Sequence, residues 1–163
     1  MSVFILLILF ISILLSGSII VVFGSITSKQ LKLILAFSGA YLFSLSVIHL
    51  LPDVYDSGGA SIGIFILMGF FLQVVLEIFS EGIEHGHMHI HKDHHHKFPL
   101  GIMLGLCIHS FLEGVPLAQR FTEESTRMSL LAGIILHHIP VAIALMTMLL
   151  DSSISKTKAF VYL

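Results

Sequence analysis

Two short runs place metal-binding groups where lipid is the expected neighbour. In LCIHSFLEGV, residues 106–115, His109 and Glu113 stand four apart inside a long apolar stretch, a spacing that puts both on one face of a helix. In ILHHIPVAIAL, residues 135–145, His137 and His138 are adjacent and Pro140 follows. A charged side chain at the bilayer centre costs about 2.5 to 3.5 kcal/mol on insertion scales, so such groups need a reason to be there. One histidine–glutamate hydrogen bond between helices, worth about 1 kcal/mol, would need only one pair. Three imidazoles and a carboxylate instead match the number and kind of ligands that Zn²⁺ takes. The candidate metal ligands are therefore His109, Glu113, His137 and His138.

The elements that must carry these residues follow from composition. Of 163 residues, 56% are hydrophobic and 11% charged, and the mean hydropathy is +1.00. Those values describe a membrane protein. A helix crosses the hydrocarbon core with about 20 apolar residues, and such stretches occur at 3–23, 31–51, 61–80, 98–120 and 129–150, with another starting near 159. The fold class is an all-α polytopic bundle of five complete spans and the start of a sixth. Because AFVYL, residues 159–163, ends before it could cross a bilayer, the chain is expected to be a fragment. The opening run MSVFILLILFISILLSGS lacks a basic leading segment and stays apolar through Phe23, which makes it a first span and not a cleaved signal.

Orientation comes from lysine and arginine, which short cytoplasmic loops retain. Lys29 and Lys32, Lys92 and Lys97, and Lys156 and Lys158 mark the first, third and fifth loops as cytoplasmic. The second loop carries aspartates and no basic residue, and in the fourth Arg120 and Arg127 flank Glu123 and Glu124. The amino terminus is expected outside. Counted from the outer ends of the fourth and fifth spans, His109 and His137 then lie roughly 14 to 17 Å deep at about 1.5 Å per residue.

Further polar residues line up on this topology. His49 and Asp53, again four apart, stand at the outer end of the second span as an entrance. Glu77, Glu81 and Glu84 stand at the inner end of the third as an exit. They lead into EGIEHGHMHIHKDHHHK, residues 81–97, with His85, His87, His89, His91, His94, His95 and His96. Imidazole and carboxylate suit borderline metals, and without the spacing of one tetrahedral site this loop is expected to bind metal weakly and exchangeably. Cys107, the single cysteine, excludes an internal disulfide and faces about 200° from His109, so it is expected to pack. Nothing resembles a nucleic-acid-binding surface.

Pro116 and Pro140 are expected to bend their helices beside Glu113 and His137, since proline lacks the donor for the carbonyl four residues earlier. Gly101, Gly105 and Gly133 are expected to let the fourth and fifth spans approach closely.

The chain resembles the ZIP metal transporters through FSGAYLFSLSVIHLLPD in the second span, the histidine-rich third loop, HSFLEG in the fourth and HHIP in the fifth. The resemblance implies eight helices built from inverted repeats, often homodimeric, that carry Zn²⁺ and sometimes Fe²⁺, Mn²⁺ or Cd²⁺ toward the cytoplasm. The metal would be a substrate and not a cofactor, and the protein would sit in the cell or inner membrane. The family's fourth-span pattern is H-N-x-x-[D/E]-G; His109 and Glu113 match it and Ser110 replaces the asparagine. The fifth-span pattern is H-[E/D/N]-x-P-[H/E]; His137 and Pro140 match, His138 replaces the polar residue and Val141 a second ligand. A single metal held by His109, Glu113 and His137, with His138 either as a fourth ligand or facing another helix, is the expectation. Without the family's later helices, rocking of one repeat against the other belongs to the parent protein.

Divalent-metal uptake without covalent chemistry is thus the leading reading. Ligating imidazoles must be neutral, so metal binding is expected to weaken as pH falls through the imidazole range, about 6.5 for an unperturbed group; titration of Zn²⁺ binding against pH checks it. Two rivals use the same residues. One is an intramembrane zinc hydrolase in which Glu113 activates water; the other is a metal sensor or store on a membrane anchor.

Overall fold

The computed structural model describes residues 3–24, 26–59, 61–79, 100–118, 124–152 and 154–163. Seven α-helices succeed one another in this part of the chain: α1 (Val3–Phe23), α2 (Ser28–Leu45), α3 (Leu51–Ser57), α4 (Ile62–Phe79), α5 (Leu100–Gly114), α6 (Glu124–Asp151) and α7 (Lys156–Tyr162). There is no strand among the described residues. Five helical stretches of them are long and apolar enough to cross a membrane: Val3–Phe23, Ser28–Asp56, Ile62–Phe79, Leu100–Ala118 and Glu124–Asp151.

Local chemistry sets the ends of these elements. After α1, Gly24 takes the left-handed φ of 86°, which costs glycine nothing, and its N–H donates to Ile20 O at 3.0 Å. Thr27 caps α2 reciprocally: its hydroxyl accepts from Gln30 N at 3.3 Å, and Gln30 Oε1 accepts from Thr27 N at 3.0 Å. Two orphan donors are thereby satisfied.

The second span runs on past the expected end at residue 51. Pro52 offers no N–H, and its ring crowds the carbonyl of Ile48. The chain absorbs this by widening into one π turn, Ser46–Leu50, in which Leu51 N–H reaches back to Ser46 O, before resuming as α3.

The two inner prolines behave differently from each other. Pro140 lies within an unbroken α6. Pro116, expected to bend its helix, follows its end: α5 stops at Gly114 and a 3₁₀ turn, Pro116–Ala118, takes over. Val115 N bonds to Leu112 O at 3.3 Å and Ala118 N to Val115 O at 3.0 Å, the tighter spacing that often closes a helix.

α6 is the central element, packing against α1 and α2, while α5 pairs with α4. Two apolar clusters lie along α6. One joins Leu130, Leu131 and Ile134 to Ile5, Leu45 and Leu117. The other joins Val141, Met146 and Leu149 to Leu31, Leu35, Ile102 and Leu106. Between them, in sequence along α6, come His137 and His138. α4 turns most of its surface outward, Leu76 being its buried residue. That exposure is what a lipid-facing helix requires, since lipid tails are as apolar as leucine.

Two sequence expectations change here. Gly133 does not bring α6 to α5. A Cβ at that position would lie 2.6 Å from Leu42 Cδ2 and 2.9 Å from Tyr41 Cε1, so the close approach is to α2. Between α5 and α6 it is Glu113 that meets His137 and His138. Among the described residues, a Cβ at Gly101 would meet nothing within 4 Å. Cys107 is exposed and not packed, because the helix face opposite His109 points away from the bundle.

Candidate metal centre

His109 is the central residue of the stretch Leu100–Ala118, and His137 and His138 are the two central residues of Glu124–Asp151. Both helices thus deliver imidazoles at mid-length. Helical spacing then sets Glu113 one turn beyond His109, and its Oε1 lies 3.2 Å from His109 Nε2. Across the gap, the same Oε1 is 3.9 Å from His137 Nε2. The other oxygen, Oε2, is 2.9 Å from His138 Nε2. Adjacent residues on a helix diverge by about 100°, and Glu113 sits between the two directions, so each histidine of the pair reaches one carboxylate oxygen.

The four groups are therefore brought together, but not as equals. One ligand atom from each of His109, Glu113 and His137 lies within 4.8 Å of the other two. The rings of His109 and His137 meet edge to face, with centroids 6.0 Å apart. His138 stands behind the carboxylate: its Nε2–H donates to Oε2, and its Nδ1 is buried with no hydrogen-bond partner among the described residues. All three histidines are buried. Chemically, the inner trio offers two imidazole nitrogens and one carboxylate oxygen, a donor set that borderline divalent ions such as Zn²⁺ and Fe²⁺ accept.

Two further residues complete the surroundings, and neither figures in the sequence reading of the site. Gln73 on α4 places Oε1 3.1 Å from His109 Nδ1. Ser38 on α2, almost fully buried, places Oγ 3.3 Å from His137 Nδ1. The available signal was a polar residue in each of two apolar spans: Gln73 one turn before Glu77, and Ser38 within FSGAYLF.

None of the other expected positions among the described residues joins the trio of ligand atoms. His49 falls in the π turn and Asp53 in α3, both exposed. Glu77 is partly buried on α4, one turn from Gln73. Glu81, Glu84 and the loop histidines His85, His87, His89, His91, His94, His95 and His96 are outside the described residues.

The stretch that carries the trio also carries a family signature. The model of the ZIP Zinc transporter family matches residues 98–163. Over these residues the chain is similar to the ZIP zinc transporters. The match takes in α5, α6 and α7, and with them His109, Glu113, His137 and His138; Ser38 and Gln73 lie outside it. No curated protein and no solved structure matches the chain. ZIP proteins are divalent-metal transporters and not enzymes. That similarity speaks for a transporter and against the hydrolase reading, and together with the five apolar helices it supports a multi-pass membrane protein.

Proposed function

We propose that this chain forms the central binding site of a Zn²⁺ uptake pathway directed toward the cytoplasm, with His109, Glu113 and His137 as the ligands and His138 orienting the carboxylate. The observation that carries this reading is the trio itself: three ligand atoms from two helices within 4.8 Å of one another, at the midpoint of both. A three-ligand face leaves positions open for water or a further donor, and a transported ion must be able to leave as well as enter. The apolar clusters on either side of the site limit water there, which strengthens the attraction between carboxylate and cation.

His49 and Asp53 serve in this proposal as an outer collecting pair, and Glu77, Glu81 and Glu84 as the inner route to the loop histidines. The orientation, amino terminus outside, follows from lysine placement. Fe²⁺, Mn²⁺ and Cd²⁺ are alternative cargoes that the same donor set admits.

Uptake of labelled Zn²⁺ by cells expressing the gene product tests the proposal. Replacing His109 and Glu113 together with alanine is expected to bring uptake down to that of cells lacking the protein, at unchanged membrane abundance. Unaltered uptake would sink it. A membrane-anchored store predicts instead saturable Zn²⁺ binding with no flux into sealed vesicles, so the same experiment in vesicles separates the two.

A further inference from the structure

Each of the two proposed ligand histidines meets, at Nδ1, a polar residue outside the trio. Ser38 has a single hydroxyl hydrogen, and it is donated to Leu35 O, 3.1 Å away. With that hydrogen engaged, the hydroxyl oxygen is left to accept from His137 Nδ1 at 3.3 Å, the arrangement in which the ring carries its hydrogen on Nδ1. Gln73 Oε1 is an acceptor alone, so in its 3.1 Å contact with His109 Nδ1 the ring again supplies the hydrogen. A neutral imidazole carries one proton. With Nδ1 protonated on both rings, both Nε2 atoms carry lone pairs, and both Nε2 atoms are the ones that approach Glu113 Oε1, at 3.2 and 3.9 Å.

We infer that Ser38 and Gln73 are positioning residues that hold His137 and His109 in the Nδ1–H tautomer and so aim two Nε2 lone pairs at one divalent cation. Three electron-rich atoms facing one another are mutually repulsive until a cation sits among them, so fixing the tautomers in advance removes a competing arrangement in which a ring proton occupies the position of the ion. His138 has the opposite tautomer, with its proton on Nε2 and directed at Glu113 Oε2, which suits a group that orients a ligand and does not act as one. Ser38 and Gln73 come from α2 and α4, so all four longest helices outside α1 contribute either a ligand or the outer partner of one.

This inference rests on the metal-site reading above, and its test separates the two. In the purified, metal-free chain labelled with ¹⁵N-histidine, nitrogen shifts distinguish Nδ1–H from Nε2–H rings. Two Nδ1–H rings are expected, one lost to the Nε2–H form or to exchange in Ser38→Ala and the other in Gln73→Leu. Co²⁺ affinity, read from its visible spectrum, should fall by about 10- to 100-fold in each, the usual cost of removing an outer partner of a ligating histidine. Gln73→Glu keeps an acceptor at Nδ1 and should retain affinity. A wild-type spectrum showing Nε2–H at both rings, or unchanged tautomers and affinity in Ser38→Ala and Gln73→Leu, would overturn the inference. Failure of the wild-type chain to bind Co²⁺ would overturn the metal-site reading instead, while the metal-free spectrum still decides the tautomers.

Discussion

Exchanging Glu113 for glutamine should abolish high-affinity metal binding, by more than about a hundredfold in Kd, beyond what loss of an outer partner costs, and yet leave the protein at least as stable as before. The two effects have one origin. Glutamine has the size of glutamate, but one oxygen becomes an NH₂ with two donors. Turned so that its amide nitrogen replaces Oε1, it can donate to His109 Nε2, which now approaches that oxygen at 3.2 Å, while its remaining oxygen still accepts from His138. The amide then pairs with His109 and His138 without an ion, and a buried charge is gone. Calorimetric titration with Zn²⁺, together with melting followed by circular dichroism, reads both quantities. Loss of binding accompanied by loss of fold would mean that the carboxylate holds the bundle together and would count against the assignment of Glu113 as a ligand. Retained affinity would remove it from the coordination sphere altogether.

A second large effect is expected from a residue that touches no ligand atom. Gly133→Val should destabilise the bundle by about 3 kcal/mol, the upper part of the usual range for overpacking, and should weaken metal binding as well. The added Cβ would fall 2.9 Å from Tyr41 Cε1 and 2.6 Å from Leu42 Cδ2. Leu42 can turn aside, but the tyrosine ring is tethered, its hydroxyl donating to Ser129 O at 3.3 Å. α2 must therefore back away from α6. Gly133 is one turn from His137 and Tyr41 is one turn from Ser38, so that displacement lengthens the Ser38–His137 contact. Gly101→Val supplies the control, because none of the described residues stands within 4 Å of its added Cβ. It should leave both melting temperature and affinity close to those of the wild type. Equal behaviour of the two variants would refute this account of α2–α6 packing.

The sequence made some of this plain and hid the rest for definite reasons. Length and hydropathy suffice to locate spans, and the first falls at Val3–Phe23 as expected. The spacing of His109 and Glu113 is a property of one helix, so their shared face could be read directly. The common depth of His109 and His137 follows from counting along two helices. What neither count supplies is rotation about the helix axes. In a soluble helix an apolar stripe shows which side faces inward, but these spans are apolar almost all round, and so the pattern does not say which neighbour a residue meets. That is why the pattern does not mark Ser38 and Gln73 as neighbours of His137 and His109, and why Gly133 reads as a contact to α5 when its neighbour is α2. It also explains the ambiguity at His138, which resolves only once Glu113 is seen to lie between the two adjacent histidines. Pro116 and Pro52 show a related gap. Proline announces a disturbed hydrogen-bond ladder, but whether the chain ends, widens into a π turn or simply continues depends on what surrounds the freed carbonyl.

The arrangement of α6 against α1 and α2, with α5 against α4, makes the centre a junction between two helix groups. Glu113 belongs to one group, and the two imidazoles it meets across the gap, His137 and His138, belong to the other. Any motion that separates the groups must break the same bonds that would grip a cation, so occupancy and cohesion are coupled at a single carboxylate. An ion seated there acts as a removable cross-link.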